Sequence, residues 1–186
     1  MPWTTRGRSR TSRSDNGPAG TTGRESLLSA LALRSKGHWG YDADFIEACR
    51  EPLTITADYI VSHPIFVAEI ENSVLGFYSL DDAPPPETEL DNLFIDPPAI
   101  GTGAGRLLWL HAIATATELG HRVMLIEADP FAEGFYSSMG AVRIGSRPSS
   151  IIPGRELPLL RFDLRNDHAG KVKDRSQAEM FILGGR

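Results

Sequence analysis

The chain has 186 residues, of which 41% are hydrophobic and 23% charged, a composition typical of a globular domain that excludes wholesale disorder. The formal net charge of −5 argues against nucleic acid as a partner. No apolar run approaches the roughly 20 residues of a membrane-spanning helix, and the single cysteine, Cys49, provides neither an internal disulfide nor a metal-ligand pattern. These features favour a cytoplasmic protein with no metal site and no membrane contact.

The two ends of the chain differ in composition from the middle. Residues 1–24 contain five arginines against one aspartate, so this leader carries +4 and leaves −9 for the rest. It is rich in Ser, Thr and Gly and lacks the apolar stretch of a secretory signal, so we predict disorder, with a transit peptide or a mis-assigned start as alternatives. A globular domain is expected over 25–165. Residues 166–186 form a polar tail whose apolar run, 180–183, predicts a short helix or a frayed end.

The first half of the domain changes from helical to strand patterns. Leucines at near-helical spacing predict a helix over 25–36, and shorter helices follow over 42–50 and 57–63. β-rich runs over 65–70 and 74–80 predict a hairpin. After a loop with three prolines, which cannot continue a ladder, another strand is expected over 87–95.

The second half alternates strands and helices. The longest predicted helix covers 103–119 and ends at Gly120, and an apolar strand over 123–126 is typical of the middle of a sheet. Asp129 is expected to cap the next helix, with Pro130 in its first turn and Gly140 at its end. Strands over 142–144 and 157–164 complete an α/β domain with a mixed sheet.

Alternating glycines lie between the strand over 87–95 and the longest helix. Gly101, Gly103 and Gly105 permit positive φ and close approach of a ligand, and the helix start offers free N–H groups and a positive dipole end. This pattern predicts a phosphate-bearing ligand, with a structural glycine turn as the alternative. Arg106 follows Gly105, which excludes the Gly-Lys-Ser/Thr ending of an ATP or GTP loop. The spacing also differs from the dinucleotide-binding G-x-G-x-x-G, although Glu127 lies where that motif has its ribose-binding acid.

Two segments resemble one known family. Residues 93–108, LFIDPPAIGTGAGRLL, are similar to the acetyl-CoA signature of the GNAT superfamily of N-acetyltransferases, where a strand and a proline precede Gln/Arg-x-x-Gly-x-Gly/Ala at a helix start. Residues 129–141, DPFAEGFYSSMGA, resemble the family's later Asn-x-x-Ala-x-x-Phe-Tyr-x-x-x-Gly-Phe block. Ile100 stands in place of the usual Gln or Arg, and Asp129 in place of the usual Asn. The resemblance covers 25–164 and implies a central mixed, mostly antiparallel sheet flanked by helices, with acetyl-CoA as co-substrate.

The resemblance also implies roles for individual residues. Tyr136 takes the position of the general acid that protonates the leaving thiolate, with core packing beside Phe135 as the alternative. Asp91 and then Glu89 are the candidates for the general base, because they alternate with Glu87 along one strand and share a face; a solvated strand face is the alternative. The residues implied to bind the co-substrate are Phe94, Ile95, Ile100, Gly101, Thr102, Gly103, Ala104, Gly105, Arg106, Asp129 and Ala132.

The acceptor site is the least defined part. His38, Trp39 and Tyr41 lie between the first two helices, where they either line the acceptor pocket or hold the two helices together. We expect an N-acetyltransferase that transfers the acetyl group of acetyl-CoA to a primary amine of a small molecule or peptide by direct attack. A catalytically inactive acyl-CoA-binding module is the alternative. The negative charge weakly favours cationic acceptors, and a homodimer is left open.

Overall fold

The computed structural model describes residues 23–71, 73–165 and, for the backbone alone, 179–184. The expected disorder of the leader therefore concerns residues that lie outside the described part. Within that part the helices are α1 (Arg24–Gly37), α2 (Ala43–Cys49), α3 (Ala57–Ser62), α4 (Ala104–Glu118) and α5 (Glu133–Ser138). The strands are β1 (Ile65–Ile70), β2 (Ser73–Leu80), β3 (Glu87–Ile95), β4 (Val123–Glu127), β5 (Val142–Pro148), β6 (Glu156–Asp163) and β7 (Glu179–Gly184).

The strands form one mixed sheet in the order β5-β6-β4-β3-β2-β1-β7. The pair β3–β4 is parallel, and the other neighbours are antiparallel. A parallel pair needs a crossover connection, and α4 supplies it between β3 and β4. The expected mixed, mostly antiparallel sheet flanked by helices is therefore confirmed, and the apolar strand β4 lies inside the sheet as its composition predicts.

Each face of the sheet has its own apolar core. The larger core lies between the sheet and α4 and α5, and its fully buried side chains include Leu108, Trp109 and Met124. The smaller core joins α1 and α3 to β1 and β2 on the other face, around Leu31 and Phe77. The helices thus cover opposite faces of the sheet.

Two expectations for local structure are wrong. α5 begins at Glu133 instead of following an Asp129 cap, because the Asp129 carboxylate accepts the N–H of Phe131 in a tight turn and Ala132 occupies the cap position. Residues 179–184 form neither a helix nor a frayed end, since β7 pairs with β1 as the edge strand of the sheet. Residues 179–184 form a strand because their main chain pairs with β1, and the local sequence does not indicate β1 as a partner.

Candidate active site

The glycine loop forms the N-terminal end of α4. Gly101 and Gly103 have φ of +82° and +97°, a left-handed conformation that favours glycine. Gly103 occupies the cap position without any side-chain hydrogen bond, so no side chain satisfies the first turn of the helix. The end of α4 is therefore open to an anionic ligand.

The amides of this loop are not equally free. The N–H of Ile100 donates to Pro97 O at 3.2 Å and that of Thr102 to Ala99 O at 3.3 Å, so both are already used. Several other amides make no hydrogen bond with the described residues and are free to hold phosphate oxygens. These are the amides of Gly101, Gly103, Ala104, Gly105 and Arg106. The exposed Arg106 side chain also has no acidic partner in the described part of the chain.

A gap opens between β3 and β4 beside this loop. The two strands pair only over Glu87–Glu89 with Val123–Leu125, although β3 continues to Ile95. The N–H of Asp96 donates to Leu75 O at 2.8 Å on the β2 side, so alternation directs the N–H of Phe94 toward β2 and that of Ile95 toward the gap. Of the two strand residues implied to bind the co-substrate, Phe94 and Ile95, it is Ile95 whose backbone N–H faces the gap and pairs with no strand.

Tyr136 lies on α5 next to the glycine loop. Its neighbour Phe135 lies 3.6 Å from the position that a Cβ on Gly105 would occupy. The Tyr136 ring packs edge-on against Trp109 with 6% of its surface exposed. Its hydroxyl makes no hydrogen bond with the described residues, and the ring lies among the buried side chains of the larger core. Burial, with a smaller effect of the Asp129 charge, raises the pKa of Tyr136, which keeps the phenol protonated at neutral pH.

The candidate bases on β3 have different surroundings. Both carboxylate oxygens of Glu89 accept from Arg147, at 2.9 and 3.1 Å. The exposed Asp91 accepts from the hydroxyl of Tyr59 through Oδ2, while its Oδ1 makes no hydrogen bond with the described residues. Asp91 therefore retains one acceptor atom for a proton or a water molecule.

The strand between these carboxylates does not alternate regularly. Ser79 pairs with Asn92 and Leu80 with Leu90, so Asp91 is the extra residue of a β-bulge. As a result, Asp91 and Asn92 both reach the hydroxyl of Tyr59, which strict alternation would not allow. Glu87, Glu89 and Asp91 still share one face, as predicted, since Thr88 and Leu90 between them are buried; the bulge adds Asn92 to that face.

The three residues proposed for the acceptor pocket belong to an aromatic cluster. The Trp39 ring stacks on Phe131 at 5.7 Å and contacts His38 edge-on at 5.1 Å. Tyr41 stacks on Phe45 at 4.1 Å and lies edge-on to Phe131 at 5.5 Å. His38 is exposed, and Phe131 is 55% exposed, so part of this apolar surface remains open.

Asp129 joins this cluster to the turn before α5. Its carboxylate accepts from Lys36 at 2.5 Å and from the hydroxyl of Tyr41 at 2.9 Å, and Nη2 of Arg155 lies 3.5 Å away. Burial alone would raise the pKa of Asp129, but the bonds from Lys36, Phe131 N–H and Tyr41 outweigh it and lower that pKa. Because these groups hold its carboxylate, little acceptor capacity is left for a co-substrate. Ala132, also implied to contact the co-substrate, donates its N–H to Asp129 O.

Sequence reasoning missed the partners of these acids. Lys36, Tyr59, Arg147 and Arg155 lie between 26 and 93 positions from the acids that they contact, and no local motif contains them. Among the described residues, no helix is long and apolar enough to cross a membrane, and no group of metal-ligating side chains is found.

Comparisons with known proteins identify the family and the fold. The profile of the acetyltransferase (GNAT) family matches residues 36–141. The peptidyl-lysine N-acetyltransferase YjaB of Escherichia coli is 33% identical over 107 residues, which cover 57% of this chain and 67% of that protein. A GCN5-related N-acetyltransferase from Rhodopseudomonas palustris shares the fold with a TM-score of 0.63 at 18% identity, covering 76% of this chain and 90% of its own. The PaiA N-acetyltransferase of Thermoplasma acidophilum, solved with coenzyme A, gives a TM-score of 0.61 at 16% identity, covering 76% and 93%. The profile spans more than half of the chain, so the protein belongs to the GNAT family of acetyltransferases, acyltransferases that use acetyl-CoA as co-substrate.

Proposed function

We propose that the protein transfers the acetyl group of acetyl-CoA to a primary amine of a small molecule or peptide by direct attack. The observation that carries the proposal is the meeting of three features at the end of the sheet where β3 and β4 separate. These are the unpartnered amides at the start of α4, the gap between β3 and β4, and the phenol of Tyr136 on the adjacent α5.

The donor half of the site fits a diphosphate and a thioester. The free amides from Gly101 to Arg106 would hold the diphosphate oxygens at the positive end of the α4 dipole. The N–H of Ile95, directed into the gap, would donate to the thioester carbonyl oxygen as negative charge develops there. Acetyl-CoA supplies the activated acetyl group, and these groups position and polarise it.

Acid and base roles follow from the surroundings of the side chains. An alkylamine must lose a proton before or during attack, and we assign this proton to Asp91 Oδ1, directly or through water, with Glu89 as the second candidate. The amine nitrogen then bonds to the acetyl carbon, the carbon–sulfur bond breaks, and Tyr136 donates its proton to the departing thiolate. Cys49, the cysteine that could otherwise carry the acetyl group, is fully buried, which favours direct attack.

The acceptor enters, in this proposal, from the side of α1 and α2. The partly exposed aromatic surface around His38, Trp39 and Tyr41 lines the entrance. The identity to YjaB, named as a peptidyl-lysine N-acetyltransferase, supports a lysine side chain of a peptide as one acceptor class to assay. The cytoplasmic location and the homodimer stay predictions.

Two tyrosine variants test the proposal, with release of CoA from acetyl-CoA measured over a panel of amines. Tyr136→Phe removes a hydroxyl that makes no hydrogen bond with the described residues, so we expect wild-type stability, unchanged affinity for acetyl-CoA and a kcat lowered about 10²–10⁴-fold. Tyr78→Phe is the matched control. Its hydroxyl bonds His111 at 2.7 Å and Thr115 at 2.9 Å, so its loss costs about 0.5–1.5 kcal/mol of stability and leaves kcat unchanged. Acetyl-CoA binding by the wild type without turnover of any amine would contradict the proposal and favour a binding module.

A further inference from the structure

The cluster around Asp129 contains more positive than negative charge. Asp129 accepts from the ammonium of Lys36, the hydroxyl of Tyr41 and the amide of Phe131, which together occupy both of its oxygens. Lys36 therefore neutralises Asp129. The guanidinium of Arg155, 3.5 Å away, adds a second positive charge for which the cluster holds no second carboxylate.

Arg155 also has unused hydrogen-bond donors. Its Nη2 donates to the hydroxyl of Tyr41 at 2.5 Å, whereas Nε and Nη1 make no hydrogen bond with the described residues. The side chain is only 17% exposed, but none of its nitrogens is both shielded from solvent and without a hydrogen bond. The remaining donors of this largely buried cation therefore open toward solvent.

The aromatic rings fix the orientation of this guanidinium. Its central carbon lies 4.8 Å from the centre of the Tyr41 ring and 4.6 Å from that of Phe45, so both rings contact the cation. A planar guanidinium held in this way offers parallel N–H groups that match a carboxylate, and little side-chain entropy remains to be lost on binding.

The position of the cluster ties it to the acceptor side of the proposed site. Asp129 follows β4 by two residues, at the end of the sheet where β3 and β4 separate. Lys36 and Tyr41 come from the end of α1 and the loop after it, on the sheet face opposite α4 and α5. Asp91 lies on β3 just beyond its last pair with β4, so a negative group on β3 and the positive group of Arg155 belong to the end of the sheet where an acceptor would enter.

We propose that Arg155, held by Tyr41 and the Lys36–Asp129 pair, binds a carboxylate of the acceptor. The inference rests on the proposed function and narrows it, since the acceptor then carries an acid group in addition to its amine. The ammonium end of such a molecule faces Asp91, and its carboxylate end faces Arg155.

A matched pair of acceptors tests this without any variant. N-α-acetyl-L-lysine and its C-terminal amide share one reactive amine and differ in a carboxylate far from it. We expect the acid to be acetylated with a kcat/KM about tenfold to a hundredfold higher than the amide, the range for a charged hydrogen-bonded pair.

Variants then locate the effect. Arg155→Gln is expected to reduce the kcat/KM of the acid to that of the amide and to leave the KM for acetyl-CoA unchanged. Arg50→Gln, which removes the same charge from the exposed residue directly after α2, is the control and keeps the full preference. If Arg155→Gln does not fold, the comparison of acid and amide with the wild type still decides.

The outcomes separate the two proposals. Equal kcat/KM for acid and amide in the wild type would refute the carboxylate site and leave the proposed acetyltransferase function standing. A raised KM for acetyl-CoA in Arg155→Gln would instead assign the cation to a phosphate of the donor and overturn the inference. Absence of turnover with every acceptor, despite binding of acetyl-CoA, would refute the proposed function and this inference with it.

Discussion

Replacing Gly103 with alanine isolates the contribution of the glycine loop. Gly103 has φ of +97° at the cap position of α4, and a Cβ placed there would meet no heavy atom within 4 Å. The substitution therefore introduces no clash, and its cost is the left-handed backbone alone, about 1–2 kcal/mol. For a domain of this size, that lowers Tm by roughly 2–8 °C.

The same strain affects binding of acetyl-CoA. The strained loop can relax when no ligand is present, and binding must restore the orientation of the free amides. If the whole strain energy of about 1–2 kcal/mol opposes binding, the dissociation constant for acetyl-CoA is expected to rise about 5- to 30-fold. Differential scanning calorimetry measures the change in Tm, and titration calorimetry measures the dissociation constant for acetyl-CoA.

Gly134→Ala is the matched control because it makes the same chemical change in open space. Gly134 lies in α5 without a positive φ, so alanine is expected to stabilise the protein by about 0.5–1 kcal/mol. The two variants should thus shift Tm in opposite directions. If Gly103→Ala lost stability as expected but bound acetyl-CoA as tightly as the wild type, the assignment of the loop amides to the diphosphate would be wrong.

Four further outcomes follow from the described contacts. Asp91→Asn should lower kcat/KM about 10²–10⁴-fold, and Glu89→Gln only a few-fold, in steady-state assays; the reverse order would exchange their roles. Burial lowers the pKa of His111, so below about pH 6.5 the unfolded chain binds a proton that the folded protein does not bind. The free energy of unfolding should therefore fall with decreasing pH, by up to about 1.4 kcal/mol per pH unit. Urea titrations should show a weaker dependence of this free energy on pH for His111→Gln. Asp129→Ala leaves Lys36 without its partner and should cost about 3 kcal/mol in urea unfolding, the lower end of the range for breaking a buried ion pair; a cost under 1 kcal/mol would show that water compensates Lys36. Leu108→Ala, at a fully buried position, should cost about 2–5 kcal/mol without changing the KM for the acceptor.

The features that the sequence predicts well are those set by local chemistry. The spacing of leucines and the position of Gly120 place α1 and α4 within one or two residues of their observed ends. The bounds of β3 are predicted without error, since a proline-rich loop precedes it and a proline turn follows it. The glycine loop is likewise visible, because positive φ at Gly101 and Gly103 needs a specific residue type.

The features that sequence reasoning missed depend on contacts between distant segments. The bulge at Asp91 arises from the register of β3 against β2, and nothing within β3 indicates an extra residue. β7 is a strand because β1 offers it a main-chain partner more than a hundred residues earlier in the chain. The Asp129 carboxylate, which accepts the N–H of Phe131 in the turn before α5, also bonds Lys36 and Tyr41 across the fold, and the local sequence indicates neither of these partners.

Asp129 shows why a departure from a family pattern must be judged with its surroundings. An asparagine amide carries no charge, whereas a carboxylate 13% exposed needs a cation and hydrogen bonds to offset its desolvation. Lys36, 93 positions earlier, supplies the charge, and Tyr41 and the amide of Phe131 supply further bonds. The same contacts fix the loop after α1 to the turn that leads into α5. Because Tyr136 lies on α5, the carboxylate at 129 connects the proposed acceptor entrance rigidly to the proposed general acid, a connection that an uncharged amide would make less strongly.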